Sequence, residues 1–328
     1  TLIGWANNPA TPSGRSLGAN GRQYGTNAVA ARTDLDVNKT WAITGDTPCA
    51  EPPQGDEFII TVKTDNSGTS NSTSFTIPTT GSGYNYSVDW NNDGHYEQTG
   101  LTGNVTHNFG SAGTYTIRIR GAFPRIYFNN GGDNRKLLNI GQWGSIAWTS
   151  MEMAFYGCFN LNISATDMPD LSGVTNMFRM FSNCSALNGP ANIGNWNTAA
   201  VTNMGYMFYG ARVFNQPIGS WNTAAVTDMS AMFAHTNSFN QPIDNWNTAA
   251  VTNMFGMFAF TVLFNQPIGA WNTAAVTNMG YMFYVADAFN QPIGSWNTAA
   301  VTNMSFMFDQ TDAFNQPIGN WNTAAVTD

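Results

Sequence analysis

The chain has 328 residues, only 10% of them charged, and a net charge of −8. From Ala191 onward the only lysine or arginine is Arg212, too little cationic charge to neutralise a phosphate backbone, which argues against a nucleic-acid partner. No apolar run reaches about 18 residues, so nothing reads as a membrane-spanning helix.

Residues 1–47 read as the end of a preceding unit. Thr1–Ala6 fits a helix tail, Ser13–Tyr24 a Gly-rich strand, and Ala28–Leu35 a helix capped by Thr26. Trp41–Thr44 fits a strand closed by Gly45-Asp46. Residues 48–55 have the Pro/Gly composition of a linker. The chain begins without Met and stops inside a repeat, so it reads as a piece of a longer polypeptide.

Residues 56–121 read as all-β. Glu57–Thr64, Ser72–Pro78, Tyr84–Trp90 and Thr114–Arg120 are the predicted strands, the last with Tyr115, Ile117 and Ile119 on one face. Asn92-Asp93-Gly94 between alternating runs is a hairpin signal. Short strands between Gly/Ser/Asn turns predict a small β-sandwich-like module. Asp89, Asn91, Asp93 and Glu97 supply oxygen donors at the first, third, fifth and ninth places of a loop with Gly94 at the sixth. That is the first half of a calcium loop, and calcium is the one cofactor the sequence suggests. The twelfth place is Gly100 where such a loop carries a bidentate Glu, so a plain hairpin turn is the competing reading.

Residues 122–190 form an entry and irregular first coils. Arg125–Phe128 reads as a strand, and Ile140–Trp143 aligns with Ile193–Trp196, so repetition starts near Lys136. Residues 191–328 are a regular array in which F-N-Q-P-I-G-x-W-N-T-A-A-V-T-N/D-M-x-x-M-F recurs every 25 residues. Such a unit is too short to bury a core alone and must stack on its neighbours. Phe214–Gly219 is the predicted strand of a coil. Thr227–Phe233 is the predicted short helix, because Met229, Met232 and Phe233 fall at i, i+3 and i+4 behind a capping Thr227.

The pattern V-T-N-M-x-x-M-F-x-x-A-x-x-F-N-Q-P-I-G-x-W, over 136–328, resembles the BspA-like repeats of bacterial surface proteins, known as DUF285, relatives of the leucine-rich repeat. Ala154–Leu161 resembles the leucine-rich form of that family. Thr1–Thr47 is similar to the segment that ends such an array. V-D-W-N-N-D-G followed by H-N-F-G-S-A-G-T-Y-T-I-R-I resembles a polycystic-kidney-disease (PKD)-like or immunoglobulin-like module. The resemblance implies an α+β repeat fold: a leucine-rich-repeat-like right-handed solenoid of strand-turn-short-helix coils behind the β module. It also implies extracellular display, adhesion and self-assembly.

Three sets of residues are candidates for contacts. The column Trp196, Trp221, Trp246, Trp271, Trp296 and Trp321 can stack on sugar rings or a partner chain, or pack at the coil corner. Cys158 and Cys184 occupy matching points of adjacent coils, within disulfide reach if coils lie about 4.8 Å apart. Their alternative is a column of buried thiols that continues as Ala211, Thr236, Thr261, Ala286 and Thr311. A third column, Thr198 to Thr323, can order water if it forms a flat face. His95, His107 and His235 have no Cys or carboxylate spaced to complete a zinc site, and no catalytic motif occurs, so no enzyme is expected. The expected function is a non-enzymatic extracellular structural or adhesive segment of a large bacterial surface protein or appendage, attaching to another cell surface. The alternatives are a glycan-binding module using the Trp column, and a subunit of a self-assembling extracellular fibre whose partners are copies of itself.

Overall fold

The computed structural model describes residues 5–24, 29–48 and 55–328. The expected cap Thr26 and the third cysteine, Cys49, lie outside these residues. β1 (Ser16–Tyr24) and β2 (Ala42–Pro48) pair in parallel, Ser16 opposite Ala42. Between them in sequence, α1 (Val29–Thr33) runs into a π-helical turn, Asp34–Asn38. Leu35, Trp41 and Ile43 bury a small core of their own, and Trp41 Nε1 donates to the Pro12 carbonyl at 2.8 Å.

The next strands are β3 (Phe58–Lys63), β4 (Ser74–Ile77), β5 (Asn85–Asp89), β6 (Gln98–Leu101), β7 (Val105–Asn108), β8 (Thr114–Ala122), β9 (Leu137–Gln142) and β10 (Asn162–Ile163). Six of them form one sheet in the order β10-β9-β3-β8-β5-β6, and β4 pairs with β7 in a second. Period-two alternation sets the inner face: Phe58, Ile60 and Val62 of β3 are buried, as are Ile117 and Ile119 opposite them on β8. Arg125–Phe128 is not a strand but irregular chain, held by bonds such as Phe128 N–H to Ala154 O at 3.1 Å. β9 pairs antiparallel with β3 and parallel with β10, one coil further on. The sheet thus runs across the 121/122 boundary, and one buried core extends from Phe58 to Met307.

A fully buried ion pair fastens this junction. Lys136 Nζ lies 3.7 Å from Asp133 Oδ1. The ammonium donates to the carbonyls of Ser70, Asn71 and Ser74, while Asp133 accepts from the N–H groups of Ser70 and Thr76. Such hydrogen bonds are what make a buried pair tolerable.

Beyond β10 the expected architecture fails. Residues 164–328 contain neither α-helix nor continuous strand. The coils meet through single parallel bridges, Asn176 to Asn203, then Asp228, Asn253, Asn278 and Asn303. The leucine-rich-repeat-like α+β solenoid of strand-turn-short-helix coils is therefore wrong for this chain, which is built from mixed sheets followed by stacked turns and loops. The reason lies in where the backbone N–H groups go. In a helix each bonds four residues back. Here Met204, Tyr206, Phe208 and Gly210 donate to Asp228, Ser230, Met232 and Ala234 of the next coil at 2.7–2.9 Å, while Met207, Tyr209 and Ala211 donate three residues back. These consecutive turns set Tyr206 and Gly210 at φ 57° and 69°. A left-handed residue at every fourth place cannot continue a right-handed helix. Nor is Phe214–Gly219 a strand. Pro217 has no N–H to give, and side chains join the coils there instead. Asn240 N–H and Gln241 Nε2 both donate to Asn215 Oδ1, at 3.0 and 3.1 Å. The same ladder recurs from Asn265 and Gln266 onto Asn240.

Candidate functional site

Successive coils can be counted from Met151, Met177, Met204, Met229, Met254, Met279 and Met304. From coil two to coil seven the frame Met-x-x-Met-Phe never changes, and its phenylalanines stack, with centroids 5.8–5.9 Å apart from Phe181 to Phe283. The two residues between the methionines and the two after the phenylalanine vary from coil to coil, as do the three that follow them, such as Ala211-Arg212-Val213 against Thr236-Asn237-Ser238. A cleft of about 530 Å³ opens on one side of the stack, and every residue lining it comes from those varied places.

Its walls are tyrosines and its floor has almost no side chain. Coil three supplies Tyr206 and Tyr209, and coil six supplies Tyr281 and Tyr284 at the same register. Between them, coils four and five carry Ala231, Ala234, Gly256 and Ala259. One margin is a continuous row of rings: Tyr209 meets His235 edge-on at 5.3 Å, His235 stacks on Phe260 at 4.2 Å, and Phe260 meets Tyr284 at 5.1 Å. Burial, with Arg212 adding to it, lowers the His235 pKa below the ordinary imidazole range. The imidazole is thus neutral at neutral pH, in keeping with an aromatic margin.

Arg179 closes one end of the cleft. Its guanidinium carbon lies 4.9, 5.2 and 5.3 Å from the ring centres of Tyr206, Phe178 and Tyr156. Each ring attracts the cation through its π face. Its Nε is buried and has no hydrogen-bond partner, and among the described residues no carboxylate pairs with the group. Sequence reasoning missed this site because it sought chemistry in what repeats; the usable signal was where the repeats differ.

The tryptophan column is not available to a ligand. Trp196, Trp221, Trp246, Trp271 and Trp296 are 3% exposed. From Trp221 to Trp321 the indoles stack on one another at 6.2–6.5 Å, within 5° of parallel. From Trp221 onward each Nε1 donates to the isoleucine carbonyl of the previous coil, as Trp271 does to Ile243 at 3.1 Å. Only Trp321 is partly exposed. The threonine column is likewise not a water-ordering face: Thr198, Thr223, Thr248, Thr273 and Thr298 are buried and donate to asparagine carbonyls one coil on.

Cys158 and Cys184 are free thiols, both fully buried, so of the two readings the column of buried thiols is the one seen and the disulfide is not formed. Cys184 Sγ donates to the Phe155 carbonyl at 3.1 Å, and Thr236 and Thr261 do the same in later coils to Phe208 and Phe233. Where the column carries Cys or Thr, its side chain gives that carbonyl a second donor beside the backbone N–H it already accepts, as from Cys158 to Phe155 at 3.0 Å. Burial pushes both thiol pKa values up, which leaves the sulfurs protonated and unreactive.

The β module does bring together three of the four candidate calcium ligands. Oxygens of Asp89, Asp93 and Glu97 lie within 4.8 Å of one another. Asp89 is fully buried and accepts from the N–H groups of Asn91, Asp93 and Gly94 at 3.2, 3.2 and 2.8 Å. Asn91 Oδ1 accepts from Asp93 N–H at 3.0 Å, and Trp90 N–H donates to Glu97. Burial raises the Asp89 pKa against these bonds, and Arg118 lies 4.0 Å away. The set organises the turn by itself and presents oxygens that suit a hard cation. A rise in melting temperature with about millimolar calcium, lost in Asp93→Ala, would assign an ion to it. No rise leaves it a turn.

Comparison with known proteins gives one family. A family model described as "Mycoplasma protein of unknown function, DUF285" matches residues 149–261 and 242–328. No curated protein and no solved structure matches the chain. No helix among the described residues is long and apolar enough to cross a membrane.

Proposed function

Because the chain belongs to the DUF285 family, whose description assigns no function, we propose from its geometry that it is a non-enzymatic extracellular segment of a bacterial surface protein, and that it adheres through the varied face of its coils. The observation that carries this reading is the division of labour in each coil. The buried frame recurs from coil to coil, while every side chain lining the cleft comes from a place that varies. Constant scaffold under varied surface suits recognition. The resemblance of the coils to BspA-like surface repeats, and of the β module to PKD-like domains, supports placement outside the cell.

The test is attachment. Beads coated with the intact chain are expected to bind a cell layer. Replacing Tyr206, Tyr209, Tyr281 and Tyr284 by alanine, the residue coil four carries at both places, is expected to abolish binding while leaving the melting temperature within a few degrees, as about 1 kcal/mol shifts it by only about 2–4 °C in a chain this long. Undiminished binding would move the contact surface elsewhere.

A further inference from the structure

We infer that the tyrosine-walled cleft binds a carboxylate-bearing oligosaccharide, with Arg179 taking the carboxylate. The inference rests on the adhesive reading above and names its ligand class.

Three features of the cleft select this occupant. The first is its shape and lining. A trough of 530 Å³ lies within the range of about 300–1,000 Å³ typical of ligand sites. Its alanine and glycine floor lets a ring settle between Tyr206/Tyr209 and Tyr281/Tyr284. Aromatic faces offer apolar area to the C–H face of a sugar, and their hydroxyls offer polar contacts at its rim. Among the described residues, the hydroxyls of Tyr206, Tyr209 and Tyr281 make no hydrogen bond.

The second feature is charge. Arg179 has donors and no anion. A guanidinium is a rigid fork that matches a carboxylate through two parallel bonds. Three rings hold it by their faces, so its position is fixed before a ligand arrives. His235, the other titratable group on the margin, is held neutral, and the remaining walls and floor carry no charge. A single anionic group at one end is therefore the complement.

The third feature argues against an acidic peptide. An extended peptide gains affinity by adding to an exposed backbone edge, and this cleft has none to offer. The N–H groups of Tyr206, Ala231, Gly256 and Phe260 are already given to the carbonyls of Ser230, Phe255, Gly280 and Tyr284 in the next coil. Recognition falls to rings, hydroxyls and the guanidinium.

Calorimetric titration of the intact chain tests the proposal with four probes: tetragalacturonate, a sialylated trisaccharide, carboxyl-reduced tetragalacturonate and tetraglutamate. Binding of either acidic sugar at least about tenfold tighter than the reduced sugar is expected, since a charge-assisted pair is worth at least that. Which of the two binds identifies whether a uronate or a sialate is the source. Arg179→Ala, the residue Ala231 supplies at that register, is expected to remove the tenfold preference. The double variant Ala234→Tyr, Ala259→Tyr fills the floor with the residue coils three and six already carry there. It is expected to abolish binding with the melting temperature unchanged. No preference over the reduced sugar, tighter binding of tetraglutamate, or binding that survives the filled floor overturns the inference. If the parent chain attaches to cells and the filled variant does not, while no acidic sugar binds, the adhesive reading stands and this ligand class falls.

Discussion

Val285 holds a β-branched side chain at φ 53°, in the place where coil three has Gly210. A β-branched residue in the left-handed region is a genuine outlier, with strain on the order of 1–3 kcal/mol. Val285→Gly is expected to stabilise the chain by about 1 kcal/mol after the entropy cost of glycine is subtracted; chemical denaturation measures it, and a loss of stability would show that the Val285 side chain packs usefully. His235 gives a pH prediction. Burial lowers its native pKa, while the unfolded chain binds a proton near the ordinary value of about 6.5. The stability it contributes is full above that value and drains away as pH falls towards the lowered native pKa. His235→Phe, the residue at Phe260, removes the titration. The variant should lose less stability than the parent between about pH 7 and pH 5, and parallel losses would contradict the account.

At the scale of one coil, the tryptophan is a strut. Trp271 fills the corner and ties its Nε1 to Ile243 O. Trp271→Phe should cost about 0.5–1.5 kcal/mol, the net worth of one hydrogen bond, since the Ile243 carbonyl keeps the Trp246 N–H at 3.2 Å. Trp271→Ala should cost about 3–5 kcal/mol. A change below about 0.5 kcal/mol in equilibrium unfolding would mark a surface residue instead. The columns of Phe239, Ile243, Trp246 and their counterparts, and the asparagine ladder, were legible because a fixed 25-residue period forces equal residues into register. The helix was misread because Met229, Met232 and Phe233 show helical spacing equally well when turns follow one another and every second N–H is spent on the next coil. Gly157, Gly210 and Gly256, all at positive φ, were the available warning. The strands of the β module were readable from alternation, as at Phe58, Ile60 and Val62. The continuation of their sheet through β9 was not, since pairing between distant segments leaves no local pattern. The cleft was not legible because it is made by differences between coils, whereas the Trp and Thr columns are made by sameness.

Over the whole molecule, one buried core passes from the sheet into the stack without interruption. Lys136 and Asp133 lock the junction, and every coil beyond it takes its order from the coil before and the coil after. Proteins of this kind draw stability from nearest-neighbour contacts more than from each unit alone. The varied face is held rigid only if that sharing is real. Residue-resolved hydrogen exchange on the intact chain measures it directly. The account predicts slow exchange at Tyr206, Phe208, Ala231, Phe233, Gly256 and Phe258, with one common opening free energy across these interior coils. Separate opening energies for each 25-residue unit, or rapid exchange at those amides, would contradict it.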